Sequence, residues 1–226
     1  MTLKEDTINK RSRYVSIRGN EGFEIFANPP ISDRHTWEGN DLDHVADGWD
    51  IAPLAEKHGE KPVRKKIGDM IKALAGGMVV TGLFCQGGRD PNNIRRQLNP
   101  NGMSVSHVWV GPHYPVFRHG HPATGDCLYC VVEGELIMGR KRLGPGSSFL
   151  LPKGHPYKYS GGPDGCELLE IRSGIGEGGS GMTFRETSLD AIQRVIDTAN
   201  EHRKKWKHPK KIGETARHQA QRLAKK

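Results

Sequence analysis

The chain has 226 residues, 35% of them apolar, with 29 glycines and a formal net charge of +8. That length suits one domain with extensions, or two small ones, and it supports a hydrophobic core without staples, while the glycine content favours a turn-rich β architecture over a helical one. From Glu201 to Lys226 ten Lys/Arg face only Glu201 and Glu214, so the tail alone carries +8, residues 1–200 are formally neutral, and the chain's basicity reports its tail rather than a basic binding face.

The basic tail reads as a solvated segment and is the one candidate contact to nucleic acid. The opening MTLKEDTINKRSRYVS lacks an apolar run, so no signal peptide is expected. No stretch approaches the roughly 18–20 apolar residues of a membrane span. Cys85, Cys127, Cys130 and Cys166, without a secretory signal, read as reduced thiols of a cytoplasmic protein.

In chain order, 13–18 and 22–27 carry short β-like patterns, and Asn28-Pro-Pro-Ile-Ser-Asp-Arg34 is a loop signal, which together suggest an N-terminal arm. Val63, Ile67, Met70, Ile71 and Leu74 fall on one helical face, with Pro62 at the start and Gly76-Gly77 at the end, so the spacing predicts a helix over 62–74. A β-like segment, 78–84, follows, and 86–102 reads as loop. Strand signals then crowd together at 104–110, 126–132, 135–139, 148–151, 157–160 and 167–172. Turn clusters separate them at Glu133-Gly134, Gly144-Pro-Gly-Ser147, Pro152-Lys-Gly154 and Gly161-Gly-Pro-Asp-Gly165. This spacing predicts an all-β sandwich or barrel. Thr187 and Asp190 form a capping box opening a helix whose apolar face is Leu189, Ile192, Val195, Ile196 and Ala199. A last helix over 212–223 has few apolar residues and is expected to order only on a partner.

Within the strand-rich region, His119-x-His121 is followed by Asp126 and the turn glycine Gly134, and Gly146, Pro152 and Gly154 follow in order. This pattern resembles the two motifs of the cupin superfamily over about seventy residues, roughly a third of the chain. One departure stands out, because Tyr157 occupies the place of the second motif's histidine. The resemblance implies a mainly β fold, a cupin jelly-roll β-barrel with an N-terminal arm and helix and a C-terminal helix plus basic tail. The corresponding division is 1–100 arm and helix, 101–175 barrel and 176–226 helix and tail. It also implies a divalent metal (Fe(II) first, with Zn, Mn or Ni as options) and a homodimer joined through sheet edges or arms.

Residues two apart on a strand share a face, so His119 and His121 can ligate one ion together. The third ligand is open. Strict motif spacing puts Cys127 in the acid's position. Alternation outward from Glu133 instead turns Asp126, Leu128, Cys130 and Val132 inward and favours Asp126 as ligand or general base. His155 is a further candidate ligand, with Tyr157 as a hydroxyl donor beside the metal or substrate. His107 and His113 are weaker candidates. Cys127-Leu-Tyr-Cys130 is formally CxxC, but residues three apart on a strand face opposite sides, so a redox pair is not expected. Gly174-Ile-Gly-Glu-Gly-Gly179 matches GxGxxG without a βαβ context and reads as a glycine-rich exit from the barrel.

Iron on three His, or on two His and a carboxylate, leaves positions for dioxygen and a chelating substrate. The first expectation is therefore a mononuclear non-haem oxygenase acting on a small organic molecule. A metal-dependent isomerase or lyase and a non-catalytic sensor module are the alternatives.

Overall fold

The computed structural model describes residues 15–18, 24–27, 35–36, 49–85, 89–90, 93–97, 103–122, 125–173, 183–209, 213, 215 and 224. Helix α1 (Ala52–His58) ends at Gly59, whose φ of 82° suits a residue without Cβ and lets α2 (Glu60–Leu74) begin at once. The predicted apolar stripe of α2 is its buried face, with Val63, Ile67, Met70, Ile71 and Leu74 all covered. It packs against α3 (Leu189–His202), which buries Ile192, Val195, Ile196 and Ala199. The cap of α3 lies one residue beyond the expected Thr187: Ser188 accepts from the Ala191 amide at 3.1 Å while Thr187 stays exposed. Helix α1 lacks a sequence signal strong enough to have been expected.

Thirteen strands are present among the described residues, and the chain is mainly β. In the arm, β1 (Val15–Arg18) pairs with β2 (Glu24–Ala27), as the β-like patterns suggested. The short strand β3 (His35–Thr36) joins β4 (Met78–Cys85). Within the expected loop, β5 (Arg89–Asp90) and β6 (Asn93–Gln97) form a hairpin. The barrel adds β7 (Met103–Val110), β8 (Pro115–Gly120), β9 (Cys127–Met138), β10 (Lys141–Leu143), β11 (Ser148–Leu151), β12 (Tyr157–Ser173) and β13 (Thr183–Phe184). One antiparallel sheet runs β10-β9-β12-β7-β4-β3. From it β11 joins β9, β8 joins β12 and β13 joins β8, so the sheet curls over as in a cupin jelly roll. Because β4 pairs with β7 along its length, the barrel sheet extends before residue 101.

Two pairs of expected strands are each a single strand. Gly134 lies inside β9, and the Gly161–Gly165 cluster lies inside β12. The glycines bend these strands rather than ending them. Gly134 has φ 70°, and a Cβ there would lie 2.3 Å from the Gly165 carbonyl oxygen. No other residue fits that crossing. Below the bend β12 lies between β7 and β9, and beyond it between β8 and the far end of β9, so one ribbon serves both halves of the barrel. Trp49, Phe117 and Phe184 close the core toward the helices, with Trp49 5.2 Å from each of the other two ring centroids.

The start of the basic tail is anchored to the barrel through Trp206 while Arg203, Lys204, Lys205 and Lys207 stay exposed. Trp206 donates from Nε1 to the Pro112 carbonyl at 2.9 Å, against Gly77 and Gly111, where a Cβ on either would collide with its ring. Further on, the Glu167 carboxylate accepts from the amides of Gly213 (2.6 Å) and Thr215 (2.9 Å), from the Thr215 hydroxyl (2.5 Å) and from His107 Nε2 (2.9 Å). His107 is thereby a structural residue, on the outer face of β7. The expected helix over 212–223 and the GxGxxG segment 174–179 lie outside the described residues, apart from positions 213 and 215. Among the described residues no helix is long and apolar enough to cross a membrane.

Burial alone would raise the pKa of Glu167, but the bonds from His107, Thr215 and Gly213 hold it at about 2, below its ordinary 4.5. The folded state therefore prefers the carboxylate. The stability it confers is present above pH 4.5 and lost as pH falls toward 2. Replacing Glu167→Gln should lower stability by about 2 kcal/mol at neutral pH and flatten the pH dependence in that window, measured by thermal melts from pH 2 to 7.

Candidate active site

His119 lies inside the barrel on β8, where Val116, Phe117, His119 and Gly120 are buried and Arg118 is exposed, and where the pairing with β12 is irregular between Val116 and His119. Its Nδ1 lies 2.8 Å from the Phe117 carbonyl oxygen. A carbonyl only accepts, so Nδ1 carries the proton and Nε2 bears a lone pair. Burial, and after it the neighbouring His121, lowers its pKa from 6.5 to about 3 and keeps the ring neutral. His121 follows at the strand's end, half-buried, with the two rings edge to face at 5.1 Å. Tyr157 stands opposite His119 in the β8–β12 register, and their ring centroids are 4.4 Å apart.

The acid position resolves against the alternation argument. The expected inward set, Asp126, Leu128, Cys130 and Val132, is turned outward or to the margin, and Cys127, Tyr129 and Val131 are buried. The cause is a bulge: Glu167 pairs with Glu133 while the next residue, Leu168, pairs with Val131, so β9 carries one extra residue and its phase reverses. Asp126 is exposed, and its Oδ1 accepts from the Lys153 amide at 2.9 Å, while its carbonyl accepts from the Ser173 amide at 3.1 Å. It braces the loop before β9 against the Pro152–Gly154 turn instead of facing the histidines. His155 is also exposed, in that turn, and lines the rim of the site. His113 lies apart from the site, its ring 4.5 Å from that of His202.

A recess of about 190 Å³ opens between these elements, lined among others by His121, Cys127, Tyr129, His155, Tyr157 and Arg172. Its enclosed part has room for about one water. Arg172 was not anticipated as a site residue. On β12, Glu170 and Arg172 alternate with outward residues and so share the interior with Leu168. The guanidinium Nη2 donates to Glu170 Oε2 at 2.9 Å and to the Tyr129 hydroxyl at 2.9 Å, and lies 3.3 Å from His121 Nε2. The Tyr129 and Tyr157 hydroxyls are hydrogen-bonded to each other, and Tyr157 also meets His121 Nε2 at 3.2 Å. Tyr129 is fixed from behind by parallel stacking on Phe149 at 4.8 Å. Burial, then the charge of Glu170, raises the pKa of both tyrosines, so both hydroxyls keep their protons. Burial is the largest single influence on Arg172 and opposes its charge, but Glu170 together with Tyr129, Cys127 and Tyr157 outweighs it and the guanidinium stays protonated. The signal for this pair was present in the sequence as a Glu and an Arg two apart on a strand whose other interior residue is Leu168.

The donor set does not fit a mononuclear metal ion. Among the described residues no group of three or more His, Cys, Asp and Glu is arranged to hold one. His119 and His121 supply two imidazoles, but of the other inward residues Cys127 is a thiol that burial pushes up to about 12, and Glu170 is engaged by Arg172. The His121 nitrogen that would face an ion faces the Arg172 guanidinium instead. A buried cation at that point repels a second one.

Cys127 should resist alkylation. At pH 8 iodoacetamide should label the half-buried Cys130 at least tenfold faster than Cys127, read by peptide mass spectrometry, and comparable rates would contradict the burial described.

No protein-family model matches the chain, and no curated protein does. Similar solved structures include the DMSP lyase DddQ from Ruegeria pomeroyi, 25% identical over 33% of this chain with a TM-score of 0.29; the chain spans 39% of that protein's length. They also include the polyketide cyclase RemF from Streptomyces resistomycificus, 19% identical, covering 55% of this chain and 82% of that one with a TM-score of 0.39. A third is an RmlC-like cupin from Shewanella frigidimarina, 18% identical, covering 45% and 79% with a TM-score of 0.31. The strands form a curled antiparallel sheet consistent with a cupin jelly roll, and cupin-fold proteins recur among the solved structures similar to this chain.

Proposed function

We propose that the chain is an enzyme that moves a proton on a small organic molecule at the barrel's interior, as an isomerase or lyase does. The observation that carries this reading is the buried group of Tyr157, Tyr129, His121 and Arg172, which joins a proton acceptor, two protonated hydroxyls and a fixed positive charge. Arginine has no acceptor atom, so in its contact with His121 the imidazole Nε2 accepts and is unprotonated. From there it can take a proton from an activated C–H. Tyr157 donates a hydrogen bond to the carbonyl oxygen on which negative charge develops, and Arg172 stabilises that charge in a water-poor setting. The proton then returns to another carbon in an isomerase, or the electron pair expels a β-substituent in a lyase. Neither path consumes an oxidant.

A mononuclear iron oxygenase, toward which the His119-x-His121 motif points, would need a third ligand. Asp126 faces away, and His155 sits at the rim.

The test is exchange of carbon-bound hydrogen for deuterium in small keto compounds, followed by NMR with and without prior chelation. Exchange should persist after chelation, and Tyr157→Phe should slow it by roughly 10² to 10⁴. Loss of exchange on chelation, with recovery on adding Fe(II), would replace this reading by the metal enzyme the motif suggests.

A further inference from the structure

We propose that Arg172 anchors a carboxylate of the substrate and that Glu170 sets the strength of that attachment by partly neutralising it. The proposal rests on the small-molecule reading of the site given above and adds a substrate class, small carboxylates.

Arg172 and Glu170 form an ion pair whose side chains are 8% and 14% exposed. A pair of charges withdrawn from water this far adds little stability over apolar residues of the same volume, because desolvation offsets the attraction. The other interior residues of this stretch show that apolar packing serves the barrel well: Leu168 and Cys166 are fully buried on the same side of β12. The pair therefore calls for a use other than holding the fold. Its placement supplies one. Arg172 lines the recess whereas Glu170 does not, so a molecule entering the recess meets the guanidinium with Glu170 lying outside its walls.

The hydrogen-bond arithmetic points the same way. Nη2 has two hydrogens, yet Glu170, Tyr129 and His121 all lie within 3.3 Å of it. At least one of these contacts is shared and weak, which lets the guanidinium turn toward a stronger acceptor at small cost. A carboxylate is that acceptor, since a planar guanidinium matches it in shape as well as in charge. The protonated Tyr129 hydroxyl lies beside the same spot and can donate to the second carboxylate oxygen, leaving the Tyr157 hydroxyl for the carbonyl. With Glu170 in place the local charge is balanced, so the substrate's carboxylate is held loosely enough to leave. The recess is small, about 190 Å³ including its open mouth, which restricts the anchored molecule to a few heavy atoms.

The experiment titrates the full chain with acetate, and with acetamide as the uncharged control, following chemical shifts by NMR. Acetate should bind at least tenfold more tightly than acetamide. Glu170→Gln should tighten acetate by about tenfold and leave acetamide unchanged, and Arg172→Gln should abolish the difference between the two. Equal binding of acetate and acetamide by the unmodified protein overturns the proposal, as does acetate binding unaffected by Arg172→Gln. Should either variant fail to melt cooperatively, Arg172→Lys decides. Lysine keeps the charge but loses the fork, so acetate affinity should fall several-fold, and an unchanged affinity overturns the anchor. Exchange of neutral ketones that still depends on Tyr157, in a protein indifferent to acetate, would sink the carboxylate anchor while leaving the proton-transfer reading intact. Acetate binding as expected without any Tyr157-dependent exchange would do the reverse.

Discussion

The crossing of β9 over β12, where Gly134 meets Gly165, is the constraint on which the barrel and its site both depend. Two strands that must serve both halves of a closed sheet have to bend at the same place, and backbone can approach backbone at 2.3 Å from a would-be Cβ only if no Cβ is there. The bulge opposite Glu167 follows directly below this crossing. It reverses the phase of β9 between the bend and Cys127, and so decides which side chains look inward. Cys127 and Tyr129 are inside, and Asp126 outside, because of a backbone event several residues away.

Much of the fold was legible from residue patterns. The α2 stripe, the 148–151 strand and the glycine–proline turns are local, and local propensity reads them well. The boundaries that failed share one physical cause. Glycine clusters signal a change of backbone direction without saying whether the strand ends or bends, so Gly134 and Gly161–Gly165 read as turns although the strands continue through them. The candidate site was half legible. His119, His121 and Tyr157 do converge, since the two histidines lie two residues apart and Tyr157 pairs directly opposite His119. Asp126 was misplaced because alternation carries no information across a bulge. Arg172 and Glu170 went unrecognised because their significance lies in what faces them across the barrel, Tyr129 and His121, and that pairing is not local.

The site as built is an electrostatic balance. Arg172 and Glu170 are embedded beside the Tyr129 and Tyr157 hydroxyls and the His119 imidazole, which burial keeps neutral. Such an interior has little net charge yet a steep local field, directed by groups that cannot reorient because β8, β9 and β12 hold them. Phe149 stacked on Tyr129 and the Phe117 carbonyl on His119 add to that rigidity.

On β12 the same strand presents Glu167 outward and Glu170 and Arg172 inward. The outward carboxylate tethers Gly213 and Thr215, and with them the onset of a segment holding Arg217, Arg222, Lys225 and Lys226. With Trp206 also docked on the Pro112 carbonyl, the exposed Arg203, Lys204, Lys205 and Lys207 are held at the barrel's outer surface, so part of the tail's positive charge is carried at a fixed place.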